Sequence, residues 1–180
     1  MILHGWQANT EEHWQTWLAE RLEAAGAPVC YPVLPDPDHP RLEPWLEALE
    51  TLLPEDRETT VVCHSLGCLL WLHHLARGGR QARALLVAPP SDALAEPELR
   101  SFFPAPEARL APGSRLVCSS DDEFCPEGAA ARYGGLGLPT DVIQGGGHLN
   151  ATAGLGPWPE VEAWCLGQSS AVTSARIAPG

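Results

Sequence analysis

Two short motifs in this chain carry residue types that could perform nucleophilic catalysis together. The first is Cys63-His64-Ser65-Leu66-Gly67, where a serine follows an apolar, β-branched run and opens a helical one. A serine on a sharp strand-to-helix turn projects its hydroxyl above a sheet, and small neighbours let such a turn close. Ser-x-Gly alone says little, since about one is expected by chance in a chain of this size. Here it occurs once, at the join between strand and helix patterns. A serine so placed could also serve only as an N-cap. The second motif is Gly145-Gly146-Gly147-His148, directly after the last apolar run.

A serine hydroxyl needs a base, and in hydrolases with such an elbow the order along the chain is serine, acid, histidine. Seven histidines are present, and His148 alone lies beyond position 74. The three glycines before it permit a loop path that could swing the imidazole over Ser65. The acid is expected in a loop between these two, and Ser119-Ser120-Asp121-Asp122 follows a strand pattern there. One of the two carboxylates would hold the histidine tautomer while the other caps the turn or the following helix. Asp122 is preferred, Asp121 is the alternative, and Asp92 is a weaker third. Oxyanion donors would be the backbone N–H of Leu66, at a helix start, and that of Trp6, after the first strand.

These loops must be positioned by a sheet. Residues 2–3, 29–33, 59–63, 83–88, 115–119 and 140–144 read as strands, the first only a stub. Residues 11–26, 42–53, 66–77 and 157–166 read as helices. Strands apolar throughout belong to parallel sheets covered on both faces. The expectation is an α/β fold with a six-stranded, mostly parallel, doubly wound sheet in the order 2-1-3-4-5-6. Ligands in such sheets sit beyond the carboxyl ends of the strands. Residues 1–166 form the predicted single domain. Residues 89–113 form a loop or short cap, and residues 167–180 a mobile tail.

Composition excludes several functions. The chain has 180 residues, 44% of them hydrophobic and 19% charged, with a net charge of −12 and no basic block. Nucleic-acid binding, which draws its affinity from positive charge, is therefore not expected. No signal-like N-terminus or membrane-length apolar run occurs, so a cytoplasmic protein is expected. The six cysteines show no CxxC pair, and they read as small buried hydrophobes rather than disulfides or a zinc site. Neither G-x-G-x-x-G nor G-x-x-x-x-G-K-[ST] is present, which leaves a nucleotide-binding reading without support. No cofactor and no metal are expected.

The motifs, taken together, resemble the small serine hydrolases of the YdeN type and their eukaryotic relatives named for retinoblastoma binding. The matching pieces are HGW at 4–6, HWQTWL at 13–18, LPDPD at 34–38, HSLG at 64–67, SSDDEFCP at 119–126, and GGGHLN with GPWPE within 145–160. The resemblance implies an α/β-hydrolase fold, a Ser65–Asp122–His148 triad and no metal. Two departures stand out: Cys63 where the family usually has a smaller residue, and an N-terminus close to HGW. The expected activity is esterase-like hydrolysis of a small-molecule acyl substrate through an acyl-enzyme, with amides or peptides as further substrates. Trp6 and Trp158 are candidate walls of the substrate pocket. The competing expectation is a silent protein-binding module on the same scaffold, with its partner left open.

Overall fold

Five apolar runs form strands and pair side by side. They are β1 (Ile2–Leu3), β2 (Thr60–His64), β3 (Arg83–Val87), β4 (Arg115–Ser119) and β5 (Thr140–Ile143). All pairs are parallel, in the order β1-β2-β3-β4-β5, with Leu3 opposite Cys63, Cys63 opposite Leu86 and Leu86 opposite Leu116. The computed structural model describes residues 1–54, 58–93 and 96–172.

Neighbouring residues along each strand enter opposite cores, as the pleat demands. Leu3, Val61, Cys63, Ala84, Leu86, Leu116 and Cys118 face one side. There they meet α2 (Leu42–Leu52) and α3 (Leu66–Ala76) through Trp45, Leu49, Leu69 and Leu72. Ile2, Val62, Leu85, Val87, Val117 and Ile143 face the other. That side is closed by α1 (Trp14–Ala24) and α5 (Pro159–Cys165), through Trp14, Leu18, Val161 and Trp164. Burying both faces is what a parallel sheet requires.

The sheet has five strands where six were expected. Residues 29–33 form no strand and meet β1 through one backbone bond, Ile2 N–H to the Cys30 carbonyl at 2.8 Å. Pro28 and Pro32 carry no N–H, so a ladder cannot continue across them. The Leu34 N–H goes instead to Nε2 of the buried His4, at 2.8 Å. Hydrophobicity marked this segment as a strand, but hydrogen-bonding capacity decided otherwise.

Two connecting regions are also more ordered than expected. Within residues 89–113 a 3-10 helix, Pro97–Phe102, buries Leu99 and Phe102 against the α2–α3 core. The tail prediction needs correction over its first part: Val172 is fully buried, and its N–H donates to Oδ2 of Asp141 at 3.0 Å. The rest of that tail, residues 173–180, lies outside the described residues. A short helix, α4 (Ala129–Arg132), follows the β4 loop. All six cysteines are free, four of them buried and Cys30 and Cys165 half-buried.

One glycine sets how closely the pieces fit. Gly67, in the first turn of α3, lies directly against the end of β1. A Cβ there would be 2.6 Å from the Leu3 carbonyl oxygen and 2.7 Å from that of His4. Both are backbone atoms and cannot rotate aside. Gly67→Ala is expected to cost about 3 kcal/mol or more of stability, at the upper end of overpacking penalties. The midpoint of urea unfolding checks this; an unchanged midpoint would show that β1 and α3 can separate freely.

Candidate active site

β2 ends at His64 and α3 begins at Leu66, so Ser65 must reverse the chain by itself. It does so at φ 51° and ψ −122°, a left-handed backbone conformation costly for a residue with a side chain. The turn is held by the Ser65 N–H to the Val87 carbonyl at 2.9 Å, and by the Cys68 N–H to the Ser65 carbonyl at 2.9 Å. Its hydroxyl makes no N-cap bond to α3. Instead, Oγ lies 2.8 Å from Nε2 of His148. Cys63 is accommodated as a buried strand residue, so the departure at this position leaves the turn intact.

The loop after β5 brings His148 across the sheet top. Its Nδ1 lies 2.9 Å and 3.0 Å from the two carboxylate oxygens of Asp122, in the loop after β4. Asp122 Oδ1 also accepts the Phe124 N–H at 2.9 Å, which fixes the carboxylate's rotation. An ionised carboxylate only accepts, so the imidazole proton belongs on Nδ1 and the lone pair of Nε2 faces the serine. All three side chains are buried, Asp122 most deeply at 3% exposure. The structure thus brings Ser65, His148 and Asp122 into one hydrogen-bonded chain.

The two other carboxylates are engaged elsewhere. Asp121 accepts from Ser119 Oγ and from the Gly147 N–H, and these bonds hold its carboxyl below the usual range. Asp92 pairs with Arg132 at 3.0 Å. Leu66 and Trp6 both line a cleft of about 540 Å³ above Ser65, together with Leu99, Phe124, Asn9 and Asn150. Trp6 anchors the wall by donating Nε1–H to the Asp38 carbonyl at 2.9 Å. Trp158 is a correction: it is fully buried, edge-on to Trp14 with ring centroids 5.3 Å apart, and does not line the cleft. A tryptophan's large apolar area is as readily used in a core as in a pocket.

Sequence reasoning missed the histidines that surround this chain. His64 is buried, and its Nε2 donates to the His148 carbonyl at 2.9 Å, bracing the loop that carries His148. His13 caps α1 by accepting the Gln15 N–H on Nδ1, and its ring lies 4.9 Å from that of His64. Phe124 packs on the His148 ring at 4.3 Å. The signal for His13 was its place just before an apolar helical period, but histidine is not a common cap. No group of three or more His, Cys, Asp or Glu side chains placed to hold a metal occurs among the described residues. None of their helices is long and apolar enough to cross a membrane.

Burial, reinforced by neighbouring imidazoles, pushes His13 down to about 4 and His64 well below its ordinary value. An unfolded histidine binds its proton near pH 6.5, so between pH 6.5 and 4 the unfolded chain binds more protons than the folded one. This contribution is complete above pH 6.5 and is lost as pH falls toward 4. For His13 it is about 3 kcal/mol. Denaturant unfolding at pH 7 and pH 4.5 should show the loss. His13→Asn, which keeps a capping acceptor, should shrink the difference; an equal loss in the variant would place its origin elsewhere.

Comparison with known proteins places the chain in a family. The model of the family described as Serine hydrolase matches residues 1–166. YdeN of Bacillus subtilis, named as a hydrolase, is 33% identical over 135 residues, covering 69% of this chain and 71% of that protein. The crystal structure of the B. subtilis ydeN product superposes with a TM-score of 0.75 at 25% identity, over 93% of this chain and 96% of that one. A YdeN-like hydrolase from Pectobacterium atrosepticum gives a TM-score of 0.70 at 21% identity, over 89% and 84%. Mouse α/β-hydrolase domain-containing protein 10 shares the fold at a TM-score of 0.51 and 16% identity, over 79% and 78%. With a buried serine, histidine and aspartate in contact at the carboxyl ends of a parallel sheet, and with these relatives, the chain belongs to the serine hydrolase family of the YdeN type.

Proposed function

We propose that this protein hydrolyses small esters by acyl transfer, with Ser65 as nucleophile, His148 as general base and Asp122 as the group that orients it. The observation carrying this reading is the unbroken contact from Ser65 Oγ through His148 to the Asp122 carboxylate. His148 Nε2 takes the serine proton as Oγ attacks the acyl carbon, then returns it to the departing alcohol. Water, deprotonated by the same nitrogen, attacks the acyl-enzyme; acid and free serine are released. Leu66 and Trp6 both line the cleft, and their N–H groups are our candidates to receive the oxyanion, with the α3 dipole adding to the first. Amides and peptides enter by the same chemistry with a poorer leaving group.

The cleft favours a neutral acyl group. None of the described residues lining it is arginine or lysine, while Asp38 contributes an acid. His13 and His64, also in the lining, are held uncharged at neutral pH by burial. An anionic acyl chain would therefore be desolvated without a partner. Wild-type protein should hydrolyse p-nitrophenyl butyrate with kcat/KM at least about tenfold above that for the hemisuccinate. Equal rates on the two would refute the charge argument. A folded protein that hydrolyses no ester and takes up no fluorophosphonate would overturn the hydrolase reading in favour of a binding module.

A further inference from the structure

Four consecutive side chains at the end of β4 hold four consecutive residues of the loop after β5. Ser120 Oγ accepts the Gly145 N–H at 3.1 Å, and Ser119 Oγ accepts the Gly146 N–H at 2.9 Å. Asp121 Oδ1 accepts the Gly147 N–H at 2.9 Å, and Asp122 accepts from His148 Nδ1. The clasp is itself braced, because Ser119 Oγ donates to Asp121 Oδ1 at 2.6 Å. A backbone bond, Ser120 N–H to the Ile143 carbonyl at 2.9 Å, fixes the two loops at their base.

The loop needs such holding. Gly145, Gly147 and Leu149 all have positive φ, at 67°, 51° and 49°. Gly146 has no space for a Cβ, which would lie 2.6 Å from Leu149 Cδ2 and 3.1 Å from Ser119 Oγ. A run of three glycines samples many conformations, so on its own it would not keep an imidazole within hydrogen-bond distance of a serine. Reaction rates are steep in that distance: a displacement of about 1 Å can cost a hundredfold.

We propose that Asp121 is a positioning residue for His148. Its carboxylate fixes the Gly147 amide one residue before the base, and so sets the approach of Nε2 to Ser65 Oγ. This inference rests on the assignment of Ser65 and His148 given above. It also gives the pair of aspartates separate tasks: Asp122 orients the ring, and Asp121 orients the backbone that carries the ring. Asp121 is exposed, so its removal leaves no buried cavity.

Asp121→Ala and Asp121→Asn test the proposal. Asparagine keeps an Oδ1 that can accept from both Ser119 and Gly147; alanine keeps nothing. The alanine variant should lose about 10- to 100-fold in kcat with KM within about twofold. Its fluorophosphonate labelling rate should fall in parallel. The asparagine variant should recover to within about threefold of wild type. In the wild type and the asparagine variant the His148 Nδ1 proton should give a sharp, slowly exchanging low-field NMR resonance, and in the alanine variant that resonance should broaden or vanish. Wild-type kcat in Asp121→Ala would overturn the proposal, as would a loss that asparagine does not rescue. The proton resonance requires no turnover. An inert wild type whose resonance still depends on residue 121 would sink the hydrolase reading while leaving the clasp in place.

Discussion

Ser65→Ala is expected to lower ester hydrolysis by about 10⁴-fold or more and to abolish fluorophosphonate labelling. The substitution removes Oγ, the only atom at that position able to form the acyl-enzyme, and leaves the other partners in place. Asp122 still holds His148 at Nδ1, and Phe124 and His64 still flank the ring. Folding should survive, because the turn is held by backbone bonds from Ser65 to Val87 and from Cys68 to Ser65 rather than by the hydroxyl. At φ 51° alanine is strained to the same degree as serine. What alanine cannot make is the 2.8 Å hydrogen bond to His148. Circular dichroism and unfolding midpoints matching the wild type, combined with absent labelling, would tie the loss to chemistry. Labelling that persists in the alanine variant would move the nucleophile elsewhere and remove the ground for the mechanism.

How far the sequence could be read follows from which physical property each feature depends on. Apolar runs reported burial on both faces, so β2, β3 and β4 were legible to within a residue. The same property misreported residues 29–33, because hydrophobicity does not record the N–H groups missing at Pro28 and Pro32. That Ser65 and His148 meet, at 2.8 Å, was legible because connectivity restricts which loops can come together above the strand ends. Asp122 was preferred over Asp121 and implied by the resemblance, but the residue pattern alone left both open, since adjacent residues in one turn point in different directions. Only the path of the chain shows which carboxylate faces the ring. Trp158 failed for a related reason: residue type conveys how much area is buried, not on which side of an element it lies. The triple glycine was seen as permissive, but its restraint came from Ser119, Ser120 and Asp121, a contact between distant segments that no local pattern reveals.

Asp122→Asn is the second large effect, and the sharper test of the proton path. The carboxylate accepts from Nδ1–H, which leaves Nε2 unprotonated and able to take the serine proton. An asparagine amide in its place also carries N–H donors. The Phe124 N–H occupies Oδ1 in the native structure, so an amide oxygen retained there would turn the amide nitrogen toward His148. At the Oδ2 position, 3.0 Å from Nδ1, that nitrogen would donate to the ring in competition with the 2.9 Å contact to Oδ1; where it does, the ring proton moves to Nε2 and a donor faces the Ser65 hydroxyl. In that tautomer His148 cannot act as base, and kcat should fall by about 10⁴-fold with little change in shape or stability. Because the block is one of protonation, raising the pH should restore part of the rate in Asp122→Asn. There hydroxide acting directly can substitute for the base. A drop of tenfold or less, independent of pH, would mean that Asp122 only packs against the ring and that the base takes its orientation from the loop alone.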